Sequence, residues 1–370
     1  MPDFSGPLPA ASVGDDLREA ADAAGLVYVS DDDPGYTRRK SGTGFAYLSP
    51  DRRRVADRAM LRRLRGLAIP PAWTDVWIGS NADGHLLATG RDGKGRKQYI
   101  YHPRFRAMRD EAKYERLIDF AGLLPRIRET VARHMALRGL PREKVLATIV
   151  HLLETTLIRV GNEDYARQNK SYGLTTLRAP HVKVDGSELR FEFKGKSGRV
   201  WRLRLRDRRI AKVIKACQEL PGQQLFQYID DDGERRGVSS TDVNAYLRKI
   251  AGCEVTAKDF RTWAGTVLAA LALGEAGPAT SATDSKRRIR AAIDAVAAKL
   301  GNTAAICRKC YVHPHILEGY LTGSLVQTIR RTEAEEGSRK GLLAEEAAVL
   351  TYLTRALAKP GAHPALSAAA

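Results

Sequence analysis

Tyr311 closes the run Cys307-Arg308-Lys309-Cys310, inside the longer segment Leu300-Gly-Asn302 to His313-Pro314. A phenol in a cationic field is biased toward the phenolate, the nucleophilic form, whereas the competing reading of such a tyrosine is amphipathic packing. Arg261 belongs to Lys258-Asp-Phe-Arg261-Thr-Trp263-Ala-Gly265 and falls in the first turn of its helix. That end is unfavourable for a cation, so its presence there suggests service to an anion, aided by the helix N-terminus. Arg159, in Leu157-Ile-Arg159-Val-Gly161, ends an apolar helical run, where a cation can satisfy the last carbonyls. Lys196, in Phe193-Lys-Gly-Lys196-Ser-Gly198, occupies a hairpin tip, where a lysine is ordinarily solvated. Gly195-Lys196-Ser197 imitates the end of a phosphate-binding loop, but that motif needs glycine at 190, where Arg190 stands, and a strand-to-helix context. A nucleotide-binding loop is therefore excluded. Cys307 and Cys310 have CxxC spacing, but Cys217 and Cys253 form no second pair, so neither a zinc nor a redox site is expected. His313 and His315 read as surface or capping residues. No carboxylates cluster near these motifs at ligand spacing, so no metal is expected.

The elements that must hold these residues can be read from periodicity. Lys144–Val160 carries Leu146, Ile149, Val150, Leu153, Leu157 and Ile158 at helical spacing, with Gly161 as the expected stop. Thr256-Ala-Lys-Asp259 has the form of a capping box, opening a helix through Leu273. A further helix is expected over Thr283–Leu300, ending at Gly301. Between them, His181–Val184, Ser187–Phe193 and Val200–Leu205 read as a small antiparallel sheet turning at Asp185-Gly186 and Lys194–Arg199. Nearer the N-terminus, strands are expected at Leu26–Val29, Phe45–Leu48, Val76–Ile78, Leu86–Thr89 and Gln98–Tyr101, with a helical interlude over Asp51–Leu67. The expected fold class is α+β. A flexible acidic arm (1–24) precedes a β-rich domain (25–108) and a larger, mainly α domain with a small antiparallel sheet (109–370).

Length and charge constrain the partner. The 370 residues suit two or three domains, and the formal net charge is +18. Residues 1–33 carry a net −7, including Asp31-Asp-Asp33, which reads as solvated, while residues 34–110 carry +11. Basic blocks of this size most often meet a polyanion, with nucleic acid as the default. The longest apolar stretch, near Gly265–Leu273, is far short of the roughly 18–20 residues of a membrane span, and no secretory signal is visible. Four cysteines make no disulfide framework and point to a reducing cytoplasm.

In their order, Arg159, Lys196 at a β-turn, Lys258-x-x-Arg261, Asn302 and Tyr311 resemble the active-site series of type IB DNA topoisomerases, especially the short bacterial, poxvirus-like branch. Gly90-Arg-Asp-Gly-Lys-Gly-Arg96-Lys97-Gln98-Tyr99-Ile-Tyr101 is similar to that family's DNA-facing strand, so the resemblance covers about residues 25–325. It implies the tyrosine recombinase/topoisomerase IB-like catalytic fold, with Tyr311 attacking a DNA phosphodiester to form a 3′-phosphotyrosyl link and a free 5′-hydroxyl. It further implies that Arg159 and Arg261 present donor forks to the non-bridging oxygens and that Asn302 adds one hydrogen bond. Lys196, whose ammonium can lose a proton as a guanidinium cannot, is the expected acid for the departing 5′-oxygen, with Arg159 the alternative. The family often has histidine where Asn302 stands; an amide can hydrogen-bond an oxygen but shares no charge. DNA contacts are expected from Arg96, Lys97, Gln98, Tyr99, Tyr101 and Lys258. The phosphotyrosine conserves the bond energy, so no ATP or other cofactor is expected, and the implied actor is a cytoplasmic, nucleoid-associated monomer clamping double-stranded DNA between its domains.

Two other classes compete. A tyrosine recombinase shares the covalent chemistry, but its second arginine usually sits in His-x-x-Arg, whereas this chain has Lys258-x-x-Arg261, and its N-terminal domain is usually helical. A non-enzymatic architectural DNA binder explains the charge but not the ordered set of five residues.

Overall fold

The computed structural model describes residues 12–334 and 341–358. The chain divides at Tyr114/Glu115 into two compact units. In the first, α1 (Ser12–Ala23) precedes β1 (Gly35–Ser41), β2 (Gly44–Leu48), α2 (Arg58–Gly66), β3 (Thr74–Gly79), β4 (Leu86–Arg91) and β5 (Lys97–Tyr101). The strands form one antiparallel sheet in the order β2-β1-β3-β4-β5. Its buried face packs Tyr47, Val76, Ile78 and Ala88 against Leu64 of α2 and Ile69. Asp57 caps α2 by accepting from the Met60 N–H at 2.6 Å, so the helix begins well inside the expected 51–67 interval.

Two expectations about this unit are corrected. Residues 12–23 are a helix rather than part of a free arm, because Leu17, Ala20, Ala21 and Ala24 recur at helical spacing and pack with Leu26 and Phe105. Residues 1–11 of that arm lie outside the described residues. Leu26–Val29 contributes only an isolated bridge, Val27 to Gly84, whereas the strand beside β2 and β3 is the polar Gly35–Ser41. Its run of three cations hides the strand period. Arg38 nevertheless points inward, donating to the carbonyls of Ile69 and Pro70 at 2.8 Å and Trp73 at 2.9 Å and lying over the Phe45 ring. A buried guanidinium with its donors satisfied is tolerated, which no hydropathy pattern announces.

Helix α3 (Pro103–Met135) begins in the first unit, where Phe105 is fully buried, and so carries the division past the expected 108. The second unit continues with α4 (Arg142–Thr156), α5 (Glu163–Asn169), β6 (Val182–Asp185), β7 (Glu188–Lys194), β8 (Val200–Arg206), α6 (Arg208–Glu219), β9 (Gln227–Ile229), β10 (Arg235–Gly237) and α7 (Ser240–Ala251). It ends with α8 (Ala257–Ala276), α9 (Ala282–Leu300), α10 (Ala304–Cys310), α11 (Pro314–Leu321), α12 (Ser324–Ala334) and α13 (Ala344–Leu357). β6, β7 and β8 form the small antiparallel sheet, with Lys194 opposite Val200 at the end that carries Lys196. The capping box of α8 is present: the Thr256 N–H and hydroxyl donate to Asp259 Oδ2 at 2.8 and 2.9 Å. α8 is buried along most of its length and packs on α4, α9, α12 and α13. No helix among the described residues is long and apolar enough to cross a membrane.

An ionic cluster ties α8 to its supports. Arg128 of α3 donates to Glu346 of α13 at 2.8 Å through both terminal nitrogens and to Glu154 of α4 at 2.7 Å, while the Trp263 indole of α8 donates to Glu346 at 3.2 Å. Burial opposes ionisation of Glu346, yet the Arg128 hydrogen bonds, the Leu343 N–H, the Arg128 charge and Trp263 together hold its carboxyl below the usual range. A depressed folded pKa adds stability that is present above the unfolded value of ~4.3 and is lost as pH falls through the folded one. Glu346→Ala is expected to cost about 3 kcal/mol at neutral pH, the low end for breaking a buried pair because Glu154 still faces Arg128. Denaturant melts at pH 7 and below 4 check this; a penalty as large in acid as at pH 7 would assign the loss to packing instead.

Candidate active site

The five residues expected to carry chemistry come from five separate stretches of the second unit. Arg159 follows α4, but not as its last turn. The helix stops at Thr156, and Leu157 takes a left-handed conformation (φ 57°) with its N–H on the Leu153 carbonyl. The chain then runs extended, its Arg159 and Val160 carbonyls accepting from the N–H groups of Leu174 and Thr175 at 2.9 and 2.7 Å. Tertiary pairing thus ends the helix five residues before the expected Gly161. Arg159 is consequently aimed at another helix end, donating to the Gly301 carbonyl at 3.0 Å and to Asn302 Oδ1.

Arg261 is 3% exposed and is the fifth residue of α8, just past the expected first turn. Its guanidinium donates to the carbonyl of Leu157, the cap of α4, and to that of Leu300, the last residue of α9, at 2.6 Å. Two helix C-termini, the negative ends of their dipoles, therefore offset the unfavourable position that the cation has on its own helix. One turn further along α8, Gly265 makes room for Tyr311: a Cβ there would lie 2.5 Å from the Tyr311 carbonyl. The Tyr311 N–H bonds to the Cys307 carbonyl at 2.9 Å, and the Thr266 hydroxyl accepts from the His313 N–H at 3.1 Å. This seats the phenol ring with its centroid 5.3 Å from the Arg261 guanidinium carbon. His313 is buried and caps α11, while His315, also buried, pairs with Glu318 at 2.9 Å rather than lying on the surface.

Arg159, Lys196, Lys258, Arg261 and Tyr311 line one cleft of about 370 Å³. Lys196 and Lys258 are exposed at its rim. Asn302 does not line it: its Oδ1 holds Arg159, and its Nδ2 is buried without a hydrogen-bond partner. Arg159 occupies only the acceptor of that amide, and the Nδ2 donor, the group a phosphate oxygen would need, keeps its hydrogens unused. Burial pushes the Arg159 and Arg261 guanidiniums down from their ordinary range, and Arg159 lowers Arg261 further by like-charge repulsion. Among the described residues neither forms an ion pair with a carboxylate. One buried and one half-buried guanidinium, fixed by carbonyls and facing one phenol, suit an anion that gains charge during reaction. No group of three or more His, Cys, Asp or Glu side chains able to hold a metal occurs among the described residues.

Residues 102–336, which include all five of these residues, match the model of the eukaryotic DNA topoisomerase I catalytic core, and residues 44–92 match the N-terminal domain of bacterial DNA topoisomerase IB. DNA topoisomerase 1B of Acanthamoeba polyphaga mimivirus is 35% identical over 293 residues, spanning 77% of this chain and 87% of the viral one. The chain belongs to the type IB DNA topoisomerase family. DNA topoisomerase 1B of vaccinia virus (strain Copenhagen) is 22% identical over 74% of this chain and 86% of its own. DNA topoisomerase 1 of Mycosarcoma maydis is 23% identical over 54% of this chain but only 22% of its own, much longer sequence.

The strand expected to face DNA in this type IB topoisomerase falls between the two matched stretches. Tyr99 and Tyr101 share one face of β5, their rings stacked 5.9 Å apart, and Tyr99 is 47% exposed. Gln98 takes the other face, as alternation requires, donating to Asp92 at 3.1 Å. Arg96 also binds Asp92, at 2.6 Å, and holds that carboxyl down at about 2. Lys97 pairs with Asp31 at 2.6 Å, and Asp31 also accepts from the Thr89 hydroxyl at 3.0 Å, so this aspartate is not merely solvated. Residues that sequence reasoning passed over include Tyr165 and Tyr172 in the cleft wall, Thr266 behind Tyr311 and Trp201 beside Lys196.

Proposed function

We propose that this protein relaxes supercoiled double-stranded DNA by transient single-strand cleavage, with Tyr311 as the nucleophile. The observation that carries the reading is the cleft in which a buried and a half-buried guanidinium, neither paired with a carboxylate among the described residues, flank that phenol. Tyr311 attacks phosphorus and expels the 5′-oxygen, leaving a 3′-phosphotyrosyl link and a free 5′-hydroxyl. Arg159 and Arg261 stabilise the charge that grows on the non-bridging oxygens, with Asn302 holding Arg159 in place. Lys196 protonates the departing oxygen. Swivelling of the cut strand removes supercoils of either sign, and the 5′-hydroxyl then reverses the reaction without ATP. One chain supplies the complete set of five, which supports a monomer acting in the cytoplasm on nucleoid DNA. Incubation with supercoiled plasmid in EDTA without ATP should yield relaxed topoisomers. Plasmid that stays supercoiled would favour a binding protein, and products requiring paired specific sites would favour a recombinase.

Lys196 has its own test. A 5′-bridging sulfur leaves as thiolate without an acid, so Lys196→Ala should cleave sulfur-substituted DNA nearly as fast as the parent protein while being slowed about 10²-fold or more on ordinary DNA. Equal defects on both substrates would transfer the proton to another donor, Arg159 first.

The first unit grips phosphates on this reading, through Arg96 and Lys97, with Tyr99 and Tyr101 against the DNA. Each lysine or arginine withdrawn from a phosphate should flatten the slope of log affinity against log salt by about 0.9. Salt titrations of the Arg96→Ala/Lys97→Ala double variant on a short duplex measure it. An unchanged slope would leave both residues to their aspartates.

A further inference from the structure

Lys196 is the member of the site with the fewest ties of its own: it is exposed, and its ammonium has no hydrogen-bond partner among the described residues. Its turn is nevertheless fixed from one side. Gly195, immediately before it, has an ordinary backbone conformation (φ −93°, ψ −169°) that any residue could adopt. Space, not conformation, requires glycine there, because a Cβ would fall 2.7 Å from both Cδ1 and Nε1 of Trp201 on the facing strand β8. The opposite rim of the same indole meets Gly301, where a Cβ would lie 2.8 Å from Cζ2. Phe193 stacks parallel to the indole at 6.2 Å, and the Arg199 guanidinium ties the turn to the Ala298 carbonyl of α9 at 3.0 Å. The Gly301 carbonyl accepts from Arg159, and the next residue is Asn302. One ring thus spans from the Lys196 turn to the helix end that orients Arg159.

We propose that Trp201 is a positioning residue whose indole holds the Lys196 turn against the C-terminus of α9, setting the reach of the Lys196 ammonium into the cleft. This rests on the catalytic role proposed for Lys196. The ring does no chemistry itself; its edges fix distances, and a misplacement of about 1 Å can cost ~10² in rate. A tryptophan that merely filled the hairpin would weaken every step alike, and its loss would multiply with the loss of Lys196.

The test is a double-mutant cycle in single-turnover cleavage of a duplex bound at saturating protein. Trp201→Ala should slow cleavage roughly 10- to 10²-fold with duplex affinity within a few fold, and Trp201→Phe should recover most of the rate. The Trp201→Ala/Lys196→Ala double variant should be no slower than Lys196→Ala alone, within about two-fold. Effects that multiply in the double variant, or a Trp201→Ala protein that cleaves at the parental rate, would overturn the proposal. Gly195→Ala drives a methyl into the intact indole and repeats the cycle if Trp201→Ala does not fold. The sulfur-substituted duplex separates the two readings. An equal Lys196→Ala defect on both substrates rejects Lys196 as the acid, while the cycle still decides whether Trp201 acts through it.

Discussion

Tyr311→Phe is expected to abolish plasmid relaxation and covalent adduct formation while leaving duplex affinity within a few fold. The substitution removes a single oxygen. The backbone of residue 311 is held by the Cys307 carbonyl and by the fit of Gly265, and the ring by its place beside Arg261; the hydroxyl adds one hydrogen bond to the Arg261 guanidinium. A phenyl ring therefore keeps the packing and loses the nucleophile together with its one hydrogen bond to Arg261, so the rate should fall to the level of the uncatalysed reaction. Quenching with denaturant during cleavage should trap a protein–DNA adduct with the parent chain and none with the variant. An adduct that persists in Tyr311→Phe would move the nucleophile to another side chain.

Arg261→Ala is expected to slow cleavage at least ~10²-fold, the scale of removing one preorganised transition-state donor. Two effects must be separated in reading that result. The guanidinium is buried and satisfies the carbonyls of Leu157 and Leu300, so its loss strands two acceptors at a cost of about 1–3 kcal/mol each. Thermal melts are needed beside the kinetics, which should be run well below the variant's midpoint. Arg261→Lys sharpens the distinction: it retains the charge but cannot grip two carbonyls and present a planar fork at once. It should stay slow, recovering at most a minor part of the rate. Cleavage at the parental rate in a folded Arg261→Ala protein would reduce this arginine to a fastener between three helix ends.

Local chemistry was legible in the sequence. The capping box at Thr256–Asp259, the glycine stop at 301 and the alternation in Val200–Arg206 each depend on neighbours within a turn, so residue types alone determined α8, the end of α9 and the hairpin that carries Lys196. The order of the five site residues was equally open to reading, since order is a property of the chain. What the sequence could not disclose were partners far along it. Arg38 reads as part of a solvated run until three distant carbonyls take its donors, and the α4 helix reads as continuing until Leu174 and Thr175 pair with its expected last turn. The contact by which Asn302 holds Arg159 likewise depends on a residue 143 positions away. Arg261 shows the division most plainly: its position at a helix N-terminus was determined by the sequence, but the carbonyls that make a buried cation tolerable lie 104 and 39 residues away. Hydrogen bonds over such separations are decided only when the chain packs, because burial removes the water that would otherwise have served every donor equally well.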